Sequence, residues 1–330
     1  MVTPQTTEER EKLIQSGRHY SEMLPIEYVP TETYMQVYRE ALALYAEPTA
    51  FAVGRLSDKI IAEKGKDVVL VSLARAGIPI GILIKRFLKK KYGLDVPHYS
   101  ISIIRGRGID NNAMKYLLKR YRAERLLFVD GWVGKGAILN ELKKALADYP
   151  GVSPEIAVIA DPANVTKLCG THEDILIPSS CLNCTVSGLV SRTFLREDII
   201  GKNDFHGAVY YGELQDFDLS YEFIHAIENC FCMEPPKETE SLTGFGMDEV
   251  REIAAHFHIK DINLVKPGIG EATRVLLRRL PWKILIDGRY RENPQLRHLL
   301  RLAEEKHVPV EDYPLRHYKC CGIIKQMADA

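Results

Sequence analysis

The sequence contains no apolar run near the roughly 18 residues that suggest a membrane span. Its opening stretch, TTEEREKLIQSGRHY, lacks the charged-then-apolar order of a secretory signal. There is no net charge, with 44 Lys+Arg against 44 Asp+Glu. That balance excludes a uniformly basic nucleic-acid coat and leaves only local patches available. An even set of cysteines is also missing. The seven, at positions 169, 181, 184, 230, 232, 320 and 321, point to a reducing cytosol rather than a disulfide scaffold. Internal repeats and low-complexity tracts are lacking, as are the Walker A spacing G-x-x-x-x-G-K-[ST] and a papain-like C-G-x-C-W. These absences predict a cytoplasmic globular protein with no membrane partner.

What remains are 330 residues, enough for one large domain or two ordinary ones. Residues 235–246 read PPKETESLTGFG, two prolines followed by charged and then small residues, which is linker composition. The expected division is a first domain over 1–234, a linker over 235–247 and a second domain over 248–330. From residue 248 onward there are 15 Lys+Arg and 12 Asp+Glu, a balance of +3 that leaves −3 upstream.

In the first domain, apolar runs alternate with helical patterns. VVLVSL (68–73), YSISII (99–104), LLFVD (126–130) and IAVIAD (156–161) read as strands. IPIGILIKRFLKKKYG follows the first run, with Pro79 in its first turn and Gly93 placed to end it; a second helix is expected from about 137 to 148. Fully apolar strands separated by helices predict an α/β fold, a parallel sheet covered on both faces. Such sheets bind ligands beyond the carboxyl ends of their strands, near a topological switch point. Three strand ends carry unusual residues: Arg75-Ala76-Gly77, Arg105-Gly-Arg107, and Asp130-Gly131-Trp-Val-Gly134-Lys135-Gly136-Ala137. Glycines before a helix let successive N–H groups point into one concavity, where the helix N-terminus and a lysine add positive charge for a phosphate. The plain alternatives are a βα turn that binds nothing, a surface ion pair at Arg75 and a solvated loop at 105–107.

This combination resembles the type I phosphoribosyltransferases, and the match to uracil-type members is best at Leu-Ala-Arg-Ala-Gly (73–77). The resemblance implies that phosphoribosyl pyrophosphate binds through Arg75, Ala76, Gly77, Asp130, Gly131, Gly134, Lys135, Gly136 and Ala137. Asp130 would hold the ribose hydroxyls and Mg²⁺, while Arg105 and Arg107 close over the departing pyrophosphate. The sequence departs from that family in two places. Gly131 stands where a second acid is usual, and Lys135-Gly136-Ala137 replaces a threonine-rich phosphate loop. LCGTHEDILIPSSCLNCTVSGLVSRTFLR and NDFHGAVYYGEL, together with YSISIIRGRGID, narrow the resemblance to the StiP family over roughly residues 20–232. Its members lie beside tellurite-resistance and stress-response genes and are described both as phosphoribosyltransferase-like and as cysteine proteases. By this resemblance an unknown base or amine acceptor meets Asp161, Ser187, Gly188, Ser191 and Arg192, and a homodimer is plausible. Thr185 belongs to the same small polar segment, whose plain alternative is a helix cap followed by a surface helix.

The cysteines leave two further readings open. Cys169-x-x-His172 and Cys181-x-x-Cys184 have zinc-ligand spacing within each pair, although DILIPSS between them reads as a buried strand. A thiol protease would instead place Cys181 or Cys184 beside His172 or His206. The default for these cysteines is small buried apolar residues.

In the second domain, INLV and KILIDG read as strands, among helices over GEATRVLLRRL and PQLRHLLRLAEEKH, and VPVEDYPL and CCGIIK follow. The pattern is a compact α/β sandwich, and INLVKPGIGEATRVLL resembles the Pelota and kink-turn-binding ribosomal protein superfamily. The resemblance implies RNA contact at Lys266, Pro267, Gly268, Gly270, Glu271 and Arg274. No aromatic stacking ladder accompanies them. Three activities therefore stay open: phosphoribosyl transfer, thiol proteolysis, and nucleotide or RNA binding without turnover.

Overall fold

The computed structural model describes residues 2–326 apart from 28, 30 and 239–242. In chain order the elements are α1 (Thr7–Gln15), α2 (Glu32–Lys64), β1 (Val69–Leu73), α3 (Gly77–Tyr92), β2 (His98–Ile101), β3 (Ile103–Ile104), β4 (Gly108–Ile109), α4 (Asn111–Leu118), β5 (Leu126–Trp132), α5 (Ala137–Leu146), β6 (Ile156–Ala160), β7 (Cys169–Thr171) and α6 (Ser220–Asn229). The second half adds α7 (Gly246–His256), β8 (Val265–Pro267), α8 (Ile269–Arg278), β9 (Pro281–Ile286), α9 (Arg297–Glu305), β10 (Val310–Asp312) and β11 (Cys320–Ile324). Among these residues no helix is long and apolar enough to cross a membrane.

The apolar runs form a five-stranded sheet in the order β2-β1-β5-β6-β7, with every pair parallel. Every residue of β1 and of β6 is buried, which explains their uninterrupted apolar character. The chain runs outward from β1 to β2 and then returns to the other side of β1 at β5. The switch point therefore lies between the carboxyl ends of β1 and β5. At Gly77 an added Cβ would lie 2.3 Å from the Val129 carbonyl oxygen, so only glycine lets α3 start this close to β5.

The second unit is a four-stranded mixed sheet, β10-β9-β11-β8, with α8 and α9 packed against it. Linker composition alone suggests separable domains, but one buried apolar cluster runs through both units. Val37, Tyr45 and Leu56 of α2 share it with Ile269, Leu276, Ile286 and Leu299. Helix α2 spans 33 residues with Pro48 inside and escaped the sequence analysis. It lies between the two units and is buried around much of its circumference, so it lacks the single apolar stripe that marks a surface helix. The Tyr45 hydroxyl donates to the Gln295 carbonyl at 3.1 Å, and Arg301 pairs with Glu40 at 3.0 Å.

Residues 175–177 are buried as their apolar character requires, yet they form no strand. Pro178, which has no N–H for a ladder, opens a tight turn, and the fifth strand is instead the short β7. His98 in β2 shares a 2.8 Å hydrogen bond with Ser72 in β1. Burial, with Lys85 nearby, pushes its pKa down to about 4. A histidine held neutral in the folded state stabilises fully above pH 6.5 and loses that contribution as pH falls toward 4. His98→Gln is therefore expected to shrink the loss of stability between pH 7 and pH 4.5 by about 2 kcal/mol, read by urea unfolding at both pH values.

Candidate functional site at the domain interface

The β1–α3 and β5–α5 loops meet at the switch point. A Cβ on Gly131 would lie 3.7 Å from the Ala76 carbonyl. Asp130 stands at the carboxyl end of β5, and its Oδ1 accepts from the Gly131 N–H at 2.8 Å. Burial pushes the Asp130 carboxyl up to about 6; nearby Arg274 pulls it down and Glu271 pushes it further up. Gly136, at φ 85, caps the start of α5, and Ala137 is the first helical residue. A cleft of about 350 Å³ opens beside this turn, lined by Lys135, Gly136, Asn140, Lys143, Phe245 and Arg251 among others.

The second unit docks on this loop. Glu271 lies over Gly134, with its Cγ 3.5 Å from the position of an added Cβ. The Tyr318 hydroxyl donates to the Gly134 carbonyl at 2.7 Å. Arg274 sits over the Trp132 ring, 5.2 Å from its centroid, and 3.5 Å from Glu271. Gly270 approaches Trp132 so closely that an added Cβ would touch it at 3.7 Å. At the centre of the interface, the Asp174 carboxylate accepts from Ile269 N at 2.9 Å and from Lys319 N at 2.9 Å. It caps the first turn of α8 just past Gly268, whose φ of 88 favours glycine. Asp174, Trp132 and Tyr318 were not singled out from sequence. The only signal for Asp174 is an acid leading an apolar run.

Two cations expected to grip phosphate have protein partners instead. The Lys135 ammonium donates to the carbonyls of Ile262 at 2.6 Å and Val265 at 3.1 Å. It is a docking bolt, and burial, with Lys266 and Arg105 nearby, pushes it down to about 8. Lys135→Ala is expected to leave both carbonyls unanswered and cost about 1–3 kcal/mol, measured as faster proteolysis within 235–247. Arg75, across a cis Ala74–Arg75 peptide, donates to Glu27 at 3.1 Å, Asn183 at 3.2 Å and the Val190 carbonyl at 2.9 Å. The N-terminal segment also holds the 105–107 loop. The Tyr20 hydroxyl accepts from the Arg105 N–H at 2.9 Å, Glu22 pairs with Arg107, and Glu141 of α5 accepts from the N–H groups of Gly106 and Gly108.

The residues expected to meet an acceptor are brought together only in part. Ser187 donates to the Asn183 carbonyl, the Gly188 N–H to Ser220, and Ser191 to the Arg192 carbonyl. Residues 187–194 form no surface helix; Val190 and Phe194 bridge to Tyr210 and Gly207, and the Thr185 carbonyl accepts from Leu219 N. Arg192 lies 5.3 Å from the centre of the Tyr20 ring, and burial with Arg10 and Arg75 pushes it down to about 10. Asp161 stands apart, at the end of β6, where its Oδ2 caps Val165 and Thr166.

Neither cysteine arrangement expected from spacing forms. Among the described residues no three His, Cys, Asp or Glu side chains gather as a metal would require. Cys181 is buried against α2, and Cys184 packs with Leu189, Tyr211 and Leu214. The His206 ring bonds to Ser102 at 2.8 Å. The pair that does form is Cys169 with His172, at 3.3 Å from Sγ to Nε2. His172 Nδ1 donates to the Asp161 carbonyl at 3.0 Å, which leaves Nε2 to accept from the thiol. Cys169 is fully buried, and burial pushes its thiol up to about 12. Glu238 of the linker closes over this pair, accepting from Thr171 Oγ1 and His172 N.

The architecture thus defines a doubly wound α/β unit whose β5–α5 loop, at the switch point, is covered by an α/β sandwich. Residues 1–228 match the family described as tellurite-like stress resistance cysteine protease StiP, and residues 245–326 match the PELOTA RNA binding domain. The chain belongs to the StiP family. It is 34% identical over 347 residues to a protein of Acinetobacter baylyi named Cysteine protease StiP, covering 99% of this chain and 90% of that protein. Solved structures that overlap it include a Helicobacter pylori xanthine-guanine-hypoxanthine phosphoribosyltransferase (21% identity, 34% of this chain and 70% of that one, TM-score 0.25). Another is a Trypanosoma cruzi hypoxanthine phosphoribosyltransferase complexed with the product IMP (18% identity, 43% and 73%, TM-score 0.26). Overlaps this loose carry no weight beside the strand order itself.

Proposed function

We propose that the loops at the switch point bind phosphoribosyl pyrophosphate and that the chain is a phosphoribosyltransferase-type enzyme. One observation carries this reading. Asp130 stands between two expected anion seats, each with an acidic side chain of the chain itself against it: Glu27 pairs with Arg75, and the Glu271 side chain packs over Gly134. The ligand would displace Glu27 with its pyrophosphate and Glu271 with its 5′-phosphate, leaving the ribose hydroxyls on Asp130. A nitrogen of the acceptor would then attack the anomeric carbon as the bond to pyrophosphate breaks. Pyrophosphate takes the electron pair, and the nitrogen's proton passes to water. Arg105 and Arg107 would stabilise the leaving charge, so catalysis rests on positioning and electrostatics.

Mg²⁺ fits the donors present if it arrives with the diphosphate, since such ions use one or two carboxylates plus substrate phosphates. Asp130 is the carboxylate on hand once Glu271 is displaced, and a bound cation would offset the burial that chiefly holds the Asp130 carboxyl up. It would supply charge neutralisation to the pyrophosphate.

A calorimetric titration of phosphoribosyl pyrophosphate with Mg²⁺ tests the reading. Micromolar binding supports it, and no heat at millimolar ligand rejects it. The 3.3 Å Cys169–His172 contact, together with the family's name, favours a second reading as a thiol hydrolase in which the linker over Glu238 must first lift. In that case Cys169→Ala abolishes peptidase activity that Cys181→Ala and Cys184→Ala retain.

A further inference from the structure

One short stretch near the N-terminus, residues 19–27, holds both of the arginine-bearing loops expected to meet pyrophosphate. Its last residue, Glu27, pairs with Arg75 at 3.1 Å, and Glu22 pairs with Arg107. The stretch also grips Arg105 by its backbone: the Tyr20 hydroxyl accepts from the Arg105 N–H at 2.9 Å, and His19 Nε2 donates to the Arg105 carbonyl at 3.0 Å. His19 Nδ1 accepts from Ser21 N, which leaves Nε2 as the donor. Further on, the Ser21 carbonyl accepts from Leu195 N at 2.7 Å, and the Pro25 carbonyl accepts from the Tyr211 hydroxyl at 3.2 Å. Met23 and Leu24 are buried, yet among the described residues neither joins the apolar clusters around the two sheets. The stretch is therefore held mainly by ion pairs and hydrogen bonds, which water and anions can replace at modest net cost. Gly17 stands just before it at φ 95, with open space where a Cβ would be, and gives the chain a pivot.

We infer that residues 19–27 are an autoinhibitory strap: Glu27 fills the anion seat of Arg75, and His19, Tyr20 and Glu22 tether the 105–107 loop so that it cannot close over a ligand. A diphosphate reaches Arg75 only when the strap lifts. The inference takes its ligand class from the sugar-phosphate reading and adds the segment that regulates the site. Arg75 stays aimed after Glu27 leaves, because Asn183 and the Val190 carbonyl also hold its guanidinium, at 3.2 and 2.9 Å. The two ion pairs differ in depth. The Arg75 and Glu27 side chains are 18% and 4% exposed, those of Arg107 and Glu22 30% and 24%, so opening starts at the Glu22 end. Linkage runs both ways: ligand releases the strap, and a weakened strap raises the affinity for ligand.

The test uses the full chain as wild type, Glu22→Gln, Glu27→Gln and Arg75→Gln, with thermal melts to confirm folding. Inorganic pyrophosphate is titrated by calorimetry, and trypsin cleavage after the exposed Arg18 reports release of the strap. Glu27→Gln is expected to tighten pyrophosphate about 10-fold and Glu22→Gln about 3-fold, because each raises the fraction of molecules whose seat is open. Arg75→Gln should remove the binding. Cleavage after Arg18 should speed up in the wild type at saturating pyrophosphate, and in both glutamate variants without it. Should Glu27→Gln fail to fold, Glu22→Gln, at the more exposed pair, makes the same comparison. Equal affinity in the wild type and the folded glutamate variants, pyrophosphate binding none of them, or cleavage that saturating pyrophosphate does not accelerate would falsify the inference. If phosphoribosyl pyrophosphate binds and Asp130→Asn weakens it while the strap stays protected, the sugar-phosphate reading stands and the strap falls. If pyrophosphate lifts the strap while phosphoribosyl pyrophosphate gives no heat, the strap stands as the guard of a diphosphate site and the sugar-phosphate reading falls.

Discussion

Asp130→Asn is expected to weaken phosphoribosyl pyrophosphate at least about 100-fold while leaving the fold intact, a loss of about 2.7 kcal/mol. The substitution is nearly isosteric, and the retained Oδ1 can still accept from the Gly131 N–H. It removes the anionic oxygen that the ribose hydroxyls and Mg²⁺ would use. Because burial and Glu271 already hold the Asp130 carboxyl up to about 6, losing its charge relieves a cost in the free protein. The variant should therefore melt no lower than the wild type at pH 7, which separates a binding defect from a folding one. Affinity unchanged by the substitution would remove Asp130 from the site.

Asp174→Ala should have the largest effect on stability. The carboxylate is 5% exposed and holds donors from Ile269 and Lys319, on two different segments of the second unit. Truncation strands those N–H groups beneath the interface, each a buried donor without an acceptor. A loss of about 3–5 kcal/mol is expected, in line with breaking a buried charge network. The loss should appear as a new early phase in denaturant unfolding as the second unit separates. A single transition shifted by less than about 1 kcal/mol would mean that the shared apolar cluster alone holds the units together.

The parallel sheet was legible because β1, β5 and β6 are buried on both faces and so read as uninterrupted apolar runs. The α3 cap was legible for a different reason: Gly93 takes the left-handed conformation that ends the helix. Helix α2 was not, because burial between two units erases the one-sided stripe. Asp130 and its glycine loop could be located from local spacing, since strand, turn and helix are contiguous in the chain. The partners of Lys135 and Arg75 could not, because Ile262, Val265 and Glu27 reach them from 48 residues away or more, through docking that no local pattern encodes. The two ligand sites read separately from sequence, one for a sugar phosphate and one for RNA, face each other across a single interface. Gly270, Glu271 and Arg274 pack on Trp132 and Gly134 rather than opening to solvent.

The most direct test of the sugar-phosphate reading is the electron density of crystals grown with phosphoribosyl pyrophosphate and Mg²⁺. The account predicts the ribose on Asp130, the pyrophosphate beside Arg75 with Glu27 displaced, and the 5′-phosphate over Gly134 with Glu271 turned away. A ligand seated elsewhere, or Glu27 and Glu271 unmoved at saturating ligand, would contradict it.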